Sequence, residues 1–299
     1  AQKAWAWFRA PPFDWLAGEA DVFHFPNFIR PPLRRGRSVV TIHDLSFLRC
    51  PHTTEERNLR FLRTHIAETV ARADAILTDS RTIGEELRAQ WPEAAARIVA
   101  IPLAAPEGMG RPPDEVVRRV RAERGLNRPY LLSVGTLEPR KNYAFLVEVF
   151  ERLDRFDGDL VIAGRAGWKW EATAARIAAS PKARRIHVLA PSDDAELCAL
   201  YAGAEMFICA SIYEGFGFPP LEAMACGTPV VVSDGGSLPE VCGEGARIIR
   251  GFDVDVWTAE LGRLLGDGSL RRALVERGRG NLARFSWSET ARRTWAVYR

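Results

Sequence analysis

Short runs of apolar residues alternate with longer amphipathic stretches along most of the chain. Between 55 and 72, for example, Leu59, Leu62 and Ile66 fall on one stripe, which is the spacing of an amphipathic helix. Strands that alternate with helices predict an α/β fold in which the strands form parallel sheets. The apolar runs predict buried strands at 22–25, 39–42, 75–79, 98–102, 130–134, 160–163, 186–189, 206–210 and 228–233.

A stretch rich in proline and glycine divides the chain. The sequence APEGMGRPPDE at 105–115 contains few large apolar residues, which is typical of a linker between domains. A chain of 299 residues has room for two domains of typical size. We therefore expect a first domain over 1–112, a second domain over 113–285 and a terminal amphipathic helix over 286–299.

The composition is that of an ordinary soluble globular protein, with 47% hydrophobic and 26% charged residues. A net charge of +3 is too small to indicate a nucleic-acid partner. The five cysteines are scattered without a CxxC pair, which favours a reducing cytoplasm over a disulfide framework. No apolar run approaches the roughly 20 residues of a membrane-spanning helix, and the start has no signal-peptide pattern.

Two carboxylates flank a glycine-bearing turn in the second half of the chain. The turn follows the predicted strand at 206–210, and a helix is predicted to begin at Pro219 and Pro220. Glu214 precedes the glycines, and Glu222 is expected in the first helical turn. A helix N-terminus behind a Gly-rich turn can bind an anion, and acidic side chains beside it can accept sugar hydroxyls. The alternative is an ordinary βαβ unit with two solvated acids at its helix start.

A second turn carries two cations. The sequence VGTLEPRKN at 134–142 places Arg140 and Lys141 immediately before a helix that Asn142 is expected to cap. Positive side chains beside a helix N-terminus suit a diphosphate, because charge and backbone N–H donors act on the same oxygens. The alternative is a pair of solvated loop residues.

A single histidine lies at a predicted strand end. His43 directly follows the strand at 39–42, at a carboxyl end, which is where open α/β sheets bind ligands. A lone histidine is more often structural. Asp44 could orient its ring or cap the following turn.

Several motifs occur in the order found in one known family. The two glutamates are separated by seven residues around GFGFP, and the chain closes with FSWSETARRTWAVYR. With these features the chain resembles the retaining glycosyltransferases of the GT4 family, closest to bacterial mannosyl- and hexosyltransferases. The other motifs that carry the resemblance are TIHDLS at 41–46, VGTLEPRKN at 134–142, LYAGAEMFICAS at 200–211 and SLPEV at 237–241.

The resemblance implies a GT-B fold, in which two Rossmann-like parallel-sheet domains face a cleft. It also implies a donor site in the second domain. Some members place an Arg directly after the glycine of the second turn, where this chain has Thr136. The implied donor-binding residues are Arg140, Lys141, Glu214, Gly215, Phe216, Gly217, Phe218 and Glu222.

The resemblance assigns a role to each of the catalytic residues. Arg140 and Lys141 would stabilise the departing diphosphate. Glu214 would hold the hydroxyls of the donor sugar and Glu222 those of the ribose. His43 would contact the sugar or the acceptor and would not act as a nucleophile.

The implied reaction moves a hexose, with mannose favoured, to a saccharide or lipid-linked acceptor in polysaccharide or glycoconjugate assembly. The co-substrate would be a nucleotide diphosphate sugar, GDP-mannose or a UDP-sugar, and no cofactor is expected. Because no DxD motif lies beside the donor elements, we predict metal independence. The enzyme would work in the cytoplasm or at the inner membrane surface. A non-catalytic nucleotide-sugar-binding subunit on the same fold is the alternative, since the donor residues alone give binding.

The first domain is expected to lack its first strands. In the family a strand, a Gly-rich loop and further βα units precede the segment that corresponds to DVFHFPNF at 21–28, and none is recognisable here. The aromatic residues near the start are expected to pack on the first domain, the alternative being contact with lipid or acceptor: Trp5, Trp7, Phe8, Phe13 and Trp15. Four arginines form a solvated loop or attract an anionic membrane: Arg30, Arg34, Arg35 and Arg37.

Overall fold

The computed structural model describes residues 10–299, which form two compact units. One unit contains the described residues up to Leu103 together with the segment Trp287–Arg299. The other contains Ala104–Ser286. The contacts thus place the division between Leu103 and Ala104, whereas the linker composition placed it between 112 and 113.

The first unit is built on a four-stranded parallel sheet in the order β1-β2-β3-β4. Its strands are β1 (Val22–Phe25), β2 (Arg37–Thr41), β3 (Ala75–Thr78) and β4 (Ile98–Ala100). Its helices before the linker are α1 (Phe13–Ala17), α2 (Ser46–Arg49), α3 (Glu56–Arg72) and α4 (Arg81–Gln90).

The terminal helix (Trp287–Tyr298) belongs to this first unit. Its Val297 and Tyr298 pack against the core residues Val39, Leu77 and Ile101. The Tyr298 hydroxyl also lies 2.6 Å from Nδ1 of the His24 ring on β1. The helix is therefore fixed to the sheet by apolar contacts and by a polar contact.

The aromatic residues near the start divide between packing and exposure. Phe13 meets Phe23 and Phe25 edge to face, with ring centroids 5.6 and 5.3 Å apart. Trp15 is 62% exposed, and the Arg34 guanidinium lies 5.3 Å from its ring centroid. Packing on the first unit is therefore seen for Phe13. Three of the aromatic residues lie outside the described residues: Trp5, Trp7 and Phe8.

The second unit is built on a six-stranded parallel sheet in the order β10-β9-β8-β5-β6-β7. Its strands are β5 (Tyr130–Val134), β6 (Asp159–Ala163), β7 (Ile186–Leu189), β8 (Met206–Cys209), β9 (Val230–Ser233) and β10 (Arg247–Ile249). Its helices are α5 (Asp114–Glu123), α6 (Tyr143–Glu151), α7 (Trp170–Ala178), α8 (Asp194–Ala202), α9 (Phe218–Ala225), α10 (Leu238–Cys242), α11 (Val254–Gly266) and α12 (Gly268–Leu282).

The strand order of the second sheet reverses between β5 and β8. From β5 the chain adds β6 and β7 on one side, and then β8, β9 and β10 on the other. Open α/β sheets bind ligands at the carboxyl ends of the strands at such a switch point. The turns that follow β5 and β8 are therefore the expected walls of a ligand site.

The predicted α/β class with two parallel, Rossmann-like sheets is confirmed. Two local predictions are wrong. Asn142 does not cap α6 through its side chain; it has a left-handed backbone with φ 57° and makes no capping hydrogen bond. The helix after the glycine turn begins at Phe218, so Glu222 lies beyond the first turn of α9. Within residues 10–299, no helix is both long and apolar enough to cross a membrane.

Gly164, which follows β6, should not tolerate a side chain. An added Cβ would lie 2.0 Å from the carbonyl oxygen of Gly135, which follows the neighbouring strand β5. We expect Gly164→Ala to lower the free energy of unfolding by about 1–3 kcal/mol, because backbone must shift to relieve the clash. Urea denaturation measures the change. In the control Gly262→Ala, on α11, the added Cβ meets nothing within 4 Å, so a gain of about 0.5–1 kcal/mol is expected. Equal stability of the two variants would contradict this prediction.

Candidate functional site

The turns that follow β5 and β8 are in direct contact at the switch point. The backbone N–H of Ile212, after β8, donates to the carbonyl oxygen of Arg140, after β5, at 2.8 Å. Both turns lie at the carboxyl edge of the sheet because the strands are parallel. The contact brings Arg140 and Lys141 to Glu214, although Lys141 and Glu214 are 73 positions apart in the chain.

Four charged side chains form one cluster there, which we call the ion cluster: Glu138, Arg140, Lys141 and Glu214. Lys141 Nζ donates to Oε1 of Glu214 at 2.6 Å, and Arg140 Nη1 donates to Oε2 at 2.7 Å. Arg140 Nη2 donates to Oε1 of Glu138 at 2.5 Å, and Nη1 also donates to the carbonyl oxygen of Tyr213 at 2.8 Å. The Arg140 guanidinium is thus bound to protein acceptors on both of its Nη atoms.

The ion cluster is largely removed from solvent. The side chains of Glu214 and Lys141 are 9% and 11% exposed. Burial alone would raise the pKa of Glu214, but the charges of Lys141 and Arg140 outweigh it and hold the pKa at about 2. Burial raises the pKa of Glu138, and the nearby Arg140 opposes that shift. Glu214 is therefore an ionised, acceptor-only group at neutral pH.

The backbone around Glu214 depends on two glycines. Gly236 has φ 60°, and a Cβ there would lie 2.3 Å from the carbonyl oxygen of Glu214. The same carbonyl accepts the N–H of Ser237 at 2.8 Å. Gly217, with φ 110°, allows the chain to turn into α9. A side chain at either glycine would displace the turn that holds Glu214.

The two phenylalanines of the turn pack among other aromatic rings. The ring of Phe216, which is buried, lies edge to face with those of Phe218 and Phe285, at centroid distances of 5.4 and 5.7 Å. Their side chains therefore fix the turn. The groups that this turn from Gly215 to Phe218 could offer to a ligand are those of its backbone.

Glu222 projects from the second turn of α9 and is half-buried. The hydroxyl of Tyr201 on α8 donates to its Oε2 at 2.8 Å. Burial raises the pKa of Glu222, and the Tyr201 hydrogen bond opposes that shift. Within the described part of the chain, Oε1 makes no hydrogen bond to protein. The carboxylate is thus oriented through one oxygen and can accept a ligand hydroxyl on the other.

His43 lies in the first unit, after β2, with both ring nitrogens bound. Nδ1 lies 2.7 Å from Oδ2 of Asp79, and Nε2 lies 2.7 Å from the carbonyl oxygen of Pro26. Since a carbonyl and a carboxylate both accept, the two contacts together require protons on both nitrogens. The hydrogen bond to Asp79 raises the pKa of His43 in spite of its partial burial. With both ring nitrogens engaged, His43 has no free nitrogen that could act as a base.

Sequence reasoning missed three partners of the predicted residues. Glu138 lies inside the VGTLEPRKN motif, and Tyr201 lies inside LYAGAEMFICAS, so the motifs themselves were the available signal for both. Asp79 follows β3, the parallel neighbour of β2, so its side chain meets the residue after β2. Adjacent strand ends were the available signal for Asp79. In the described ranges, no group of three or more His, Cys, Asp and Glu side chains is arranged to hold a metal ion.

Comparison with known proteins gives a family and a fold. The family model described as "Glycosyl transferases group 1" matches residues 117–281. O-antigen chain mannosyltransferase B of Escherichia coli is 33% identical over 282 residues, which are 93% of this chain and 74% of that protein.

Two solved structures have a similar fold at low sequence identity. WaaG, a glycosyltransferase involved in lipopolysaccharide biosynthesis, has a TM-score of 0.76 and 18% identity over 94% of this chain and 79% of its own. Anabaena Alr3699/HepE in complex with UDP-glucose has a TM-score of 0.74 and 16% identity over 88% of this chain and 72% of its own. The GT-B fold implied by the sequence motifs is confirmed.

Removal of Glu214 should be costly for folding. In Glu214→Ala, Lys141 and Arg140 lose their shared buried counterion, and we expect the free energy of unfolding to fall by about 3–5 kcal/mol at pH 7. The folded-state pKa of about 2 lies below the ordinary value of 4.5, so the ion pairs stabilise the wild type above pH 4.5. That contribution is lost as the pH falls toward 2.

Urea denaturation of wild type and variant at several pH values measures both effects. The control is Glu276→Ala, which removes an exposed ion pair with Arg279 and should change stability by less than about 1 kcal/mol. A loss in Glu214→Ala no larger than in this control would contradict the role given to the ion cluster.

The protonation of His43 should depend on Asp79. In Asp79→Asn we expect the pKa of His43 to fall, because the hydrogen bond and the charge of Asp79 are lost and burial is then opposed only by the Pro26 hydrogen bond and the Asp44 charge. In the wild type, the pair adds stability below pH 6.5 that is lost as the pH rises through the higher folded-state pKa. NMR titration of the ring protons measures the shift.

Asp44→Asn is the matched control for this titration. Asp44 raises the pKa of His43 through its charge alone, so the variant should lower that pKa by less than Asp79→Asn does. A His43 pKa that is the same in Asp79→Asn and in the wild type would refute the assignment.

Proposed function

The chain belongs to the group 1 glycosyl transferases, and we propose that it transfers a hexose, mannose being favoured, from a nucleotide diphosphate sugar to an acceptor hydroxyl with retention of anomeric configuration. The observation that carries the proposal is the ion cluster, with Lys141 and Arg140 buried against Glu214 at the switch point of a parallel sheet. Buried charged groups of this kind are typical of functional sites.

Lys141 is proposed to bind the diphosphate. In the transfer, the bond between the anomeric carbon and the diphosphate oxygen breaks, and its electron pair leaves with the diphosphate. The acceptor oxygen bonds to the anomeric carbon and gives up its proton to a diphosphate oxygen. Negative charge thus develops on the leaving group. A fixed cation in a site largely removed from solvent stabilises this charge and lowers the barrier to transfer.

Glu214 and Lys141 exchange partners when the donor binds. In the structure they neutralise each other at 2.6 Å. A phosphate oxygen would replace the carboxylate as the partner of Lys141, and the hydroxyls of the donor sugar would donate to the freed oxygen of Glu214. The low pKa of Glu214 keeps it ionised and therefore able to accept these hydroxyls. Arg140 would act through Glu214, because it keeps its hydrogen bond to the other carboxylate oxygen.

Two further residues complete the proposed donor and acceptor contacts. Glu222 would accept the ribose hydroxyls on Oε1, while Tyr201 holds Oε2 in place. His43 would contact the sugar or the acceptor with the exposed edge of its ring, while both ring nitrogens stay bound to Asp79 and Pro26; its side chain is 42% exposed. No step in this scheme is given to a metal ion.

The relatives support a proposal for the classes of donor and acceptor. The similar structure of HepE contains UDP-glucose, and the relative from Escherichia coli is an O-antigen mannosyltransferase. We propose GDP-mannose or a UDP-sugar as donor and a saccharide or lipid-linked saccharide as acceptor. The reaction would take place in the cytoplasm or at the inner membrane surface.

A donor screen tests the proposal. GDP-mannose, UDP-glucose, UDP-GlcNAc and a dTDP-sugar are each offered, and release of the nucleoside diphosphate is followed with and without EDTA. We expect turnover with one donor and full activity in EDTA. Lys141→Ala and Glu222→Ala should weaken nucleotide binding about tenfold to a hundredfold, since each removes a hydrogen bond to a charged group.

The possible results separate the alternatives. Tight nucleotide-sugar binding without turnover on any acceptor would favour a non-catalytic binding subunit. Unchanged nucleotide affinity in both variants would refute the donor site. Loss of transfer in EDTA would refute metal independence alone.

A further inference from the structure

We infer that Arg165 supplies the second positive charge that binds the diphosphate of the donor. Arg165 lies in the turn after β6, next to the turn after β5 that carries the ion cluster. The inference rests on the proposed function and adds to it a binding residue that sequence reasoning did not select.

The ion cluster alone has too little positive charge for a diphosphate. It contains two cations, Arg140 and Lys141, and two carboxylates, Glu138 and Glu214. Even with Glu138 protonated, only one positive charge remains uncompensated. A nucleoside diphosphate carries more than one negative charge, so a further cation beside the cluster would neutralise charge that the cluster leaves unpaired.

The turn after β6 is locked against the turn after β5. The N–H of Leu137 donates to the carbonyl oxygen of Arg165 at 2.9 Å, and the N–H of Gly167 donates to the carbonyl oxygen of Leu137 at 3.1 Å. Leu137 and Ala166 form a parallel bridge that extends the pairing of β5 and β6 beyond the sheet. The backbone of Arg165 therefore has a fixed position beside the turn after β5.

Glycines bring Lys141 and this turn to the same short segment. A Cβ on Gly135 would lie 3.3 Å from Nζ of Lys141, so the ammonium group lies over Gly135. A Cβ on Gly164 would lie 2.0 Å from the carbonyl oxygen of Gly135. Lys141 and the turn that carries Arg165 thus meet at one glycine, at the carboxyl edge of the sheet.

The charge of Arg165 is not committed to any protein acceptor. Its side chain is exposed, and within residues 10–299 it makes no hydrogen bond or ion pair. Arg140 in the same region is bound to Glu138 and Glu214, and Arg176 on α7 is bound to Glu151. An arginine with a fixed backbone and an unused guanidinium suits bidentate binding of a phosphate.

The test is calorimetric titration of the full chain with GDP and with UDP. We expect Arg165→Ala to weaken the tighter of the two about tenfold to a hundredfold, and Arg165→Lys to recover part of the loss. Thr136→Arg in the Arg165→Ala background should also recover affinity. Thr136 touches this turn, since its Cγ2 would lie 2.6 Å from a Cβ on Gly167.

Arg184→Ala is the matched control. Arg184 is also exposed but precedes β7, at the amino edge of the same sheet, so its removal should change affinity by less than about twofold. Urea denaturation of each variant checks that the fold is intact.

Each contrary result has a different meaning. Affinity of Arg165→Ala within about twofold of wild type, beside a weakened Lys141→Ala, would overturn the assignment of Arg165 alone. Equal weakening by Arg165→Ala and Arg165→Lys, without recovery from Thr136→Arg, would overturn a role through charge. Absence of GDP and UDP binding in the wild type would overturn the proposed donor site and this inference together.

Discussion

The carboxylate of Glu214 holds the ion cluster of the second unit together. It joins the turn after β8 to two cations in the turn after β5, and each partner is buried because the others are. Removal of one member would leave a charge in a poorly hydrated place, which is far costlier than the loss of a surface ion pair. A substitution that disrupts the geometry of the ion cluster should therefore also destabilise the fold.

The sheet topology explains why this pairing is possible. β5 and β8 are neighbours, although two complete βα units separate them along the chain. Their turns emerge side by side at the one place where the strand order reverses. The glycines then set the approach distances, since Gly236 lies against the carbonyl of Glu214 and Gly135 lies beneath Lys141. A long side chain at either position would separate the charges.

Much of the fold could be predicted from the sequence, because buried parallel strands are short apolar runs. The strands at Tyr130–Val134 and Ile186–Leu189 have the predicted bounds. The backbone conformation of Asn142 could not be predicted, because an Asn before a helix can either cap it or adopt the left-handed conformation seen here. The ion pairs could not be predicted either. Periodicity places residues on elements but does not say which charged side chains meet across neighbouring strands.

The two glutamates of the motif differ in a way that only their surroundings decide. Glu214 faces two cations and has its pKa held at about 2, whereas Glu222 faces a tyrosine hydroxyl in a half-buried place that raises its pKa. Replacing an ion cluster of this kind with apolar residues is often neutral or stabilising for a fold. Stability alone therefore does not explain why four charged groups lie together at the carboxyl edge of the second sheet. The proposed binding of a charged, hydroxyl-rich ligand does, since Lys141 and Glu214 would then exchange each other for groups of the ligand.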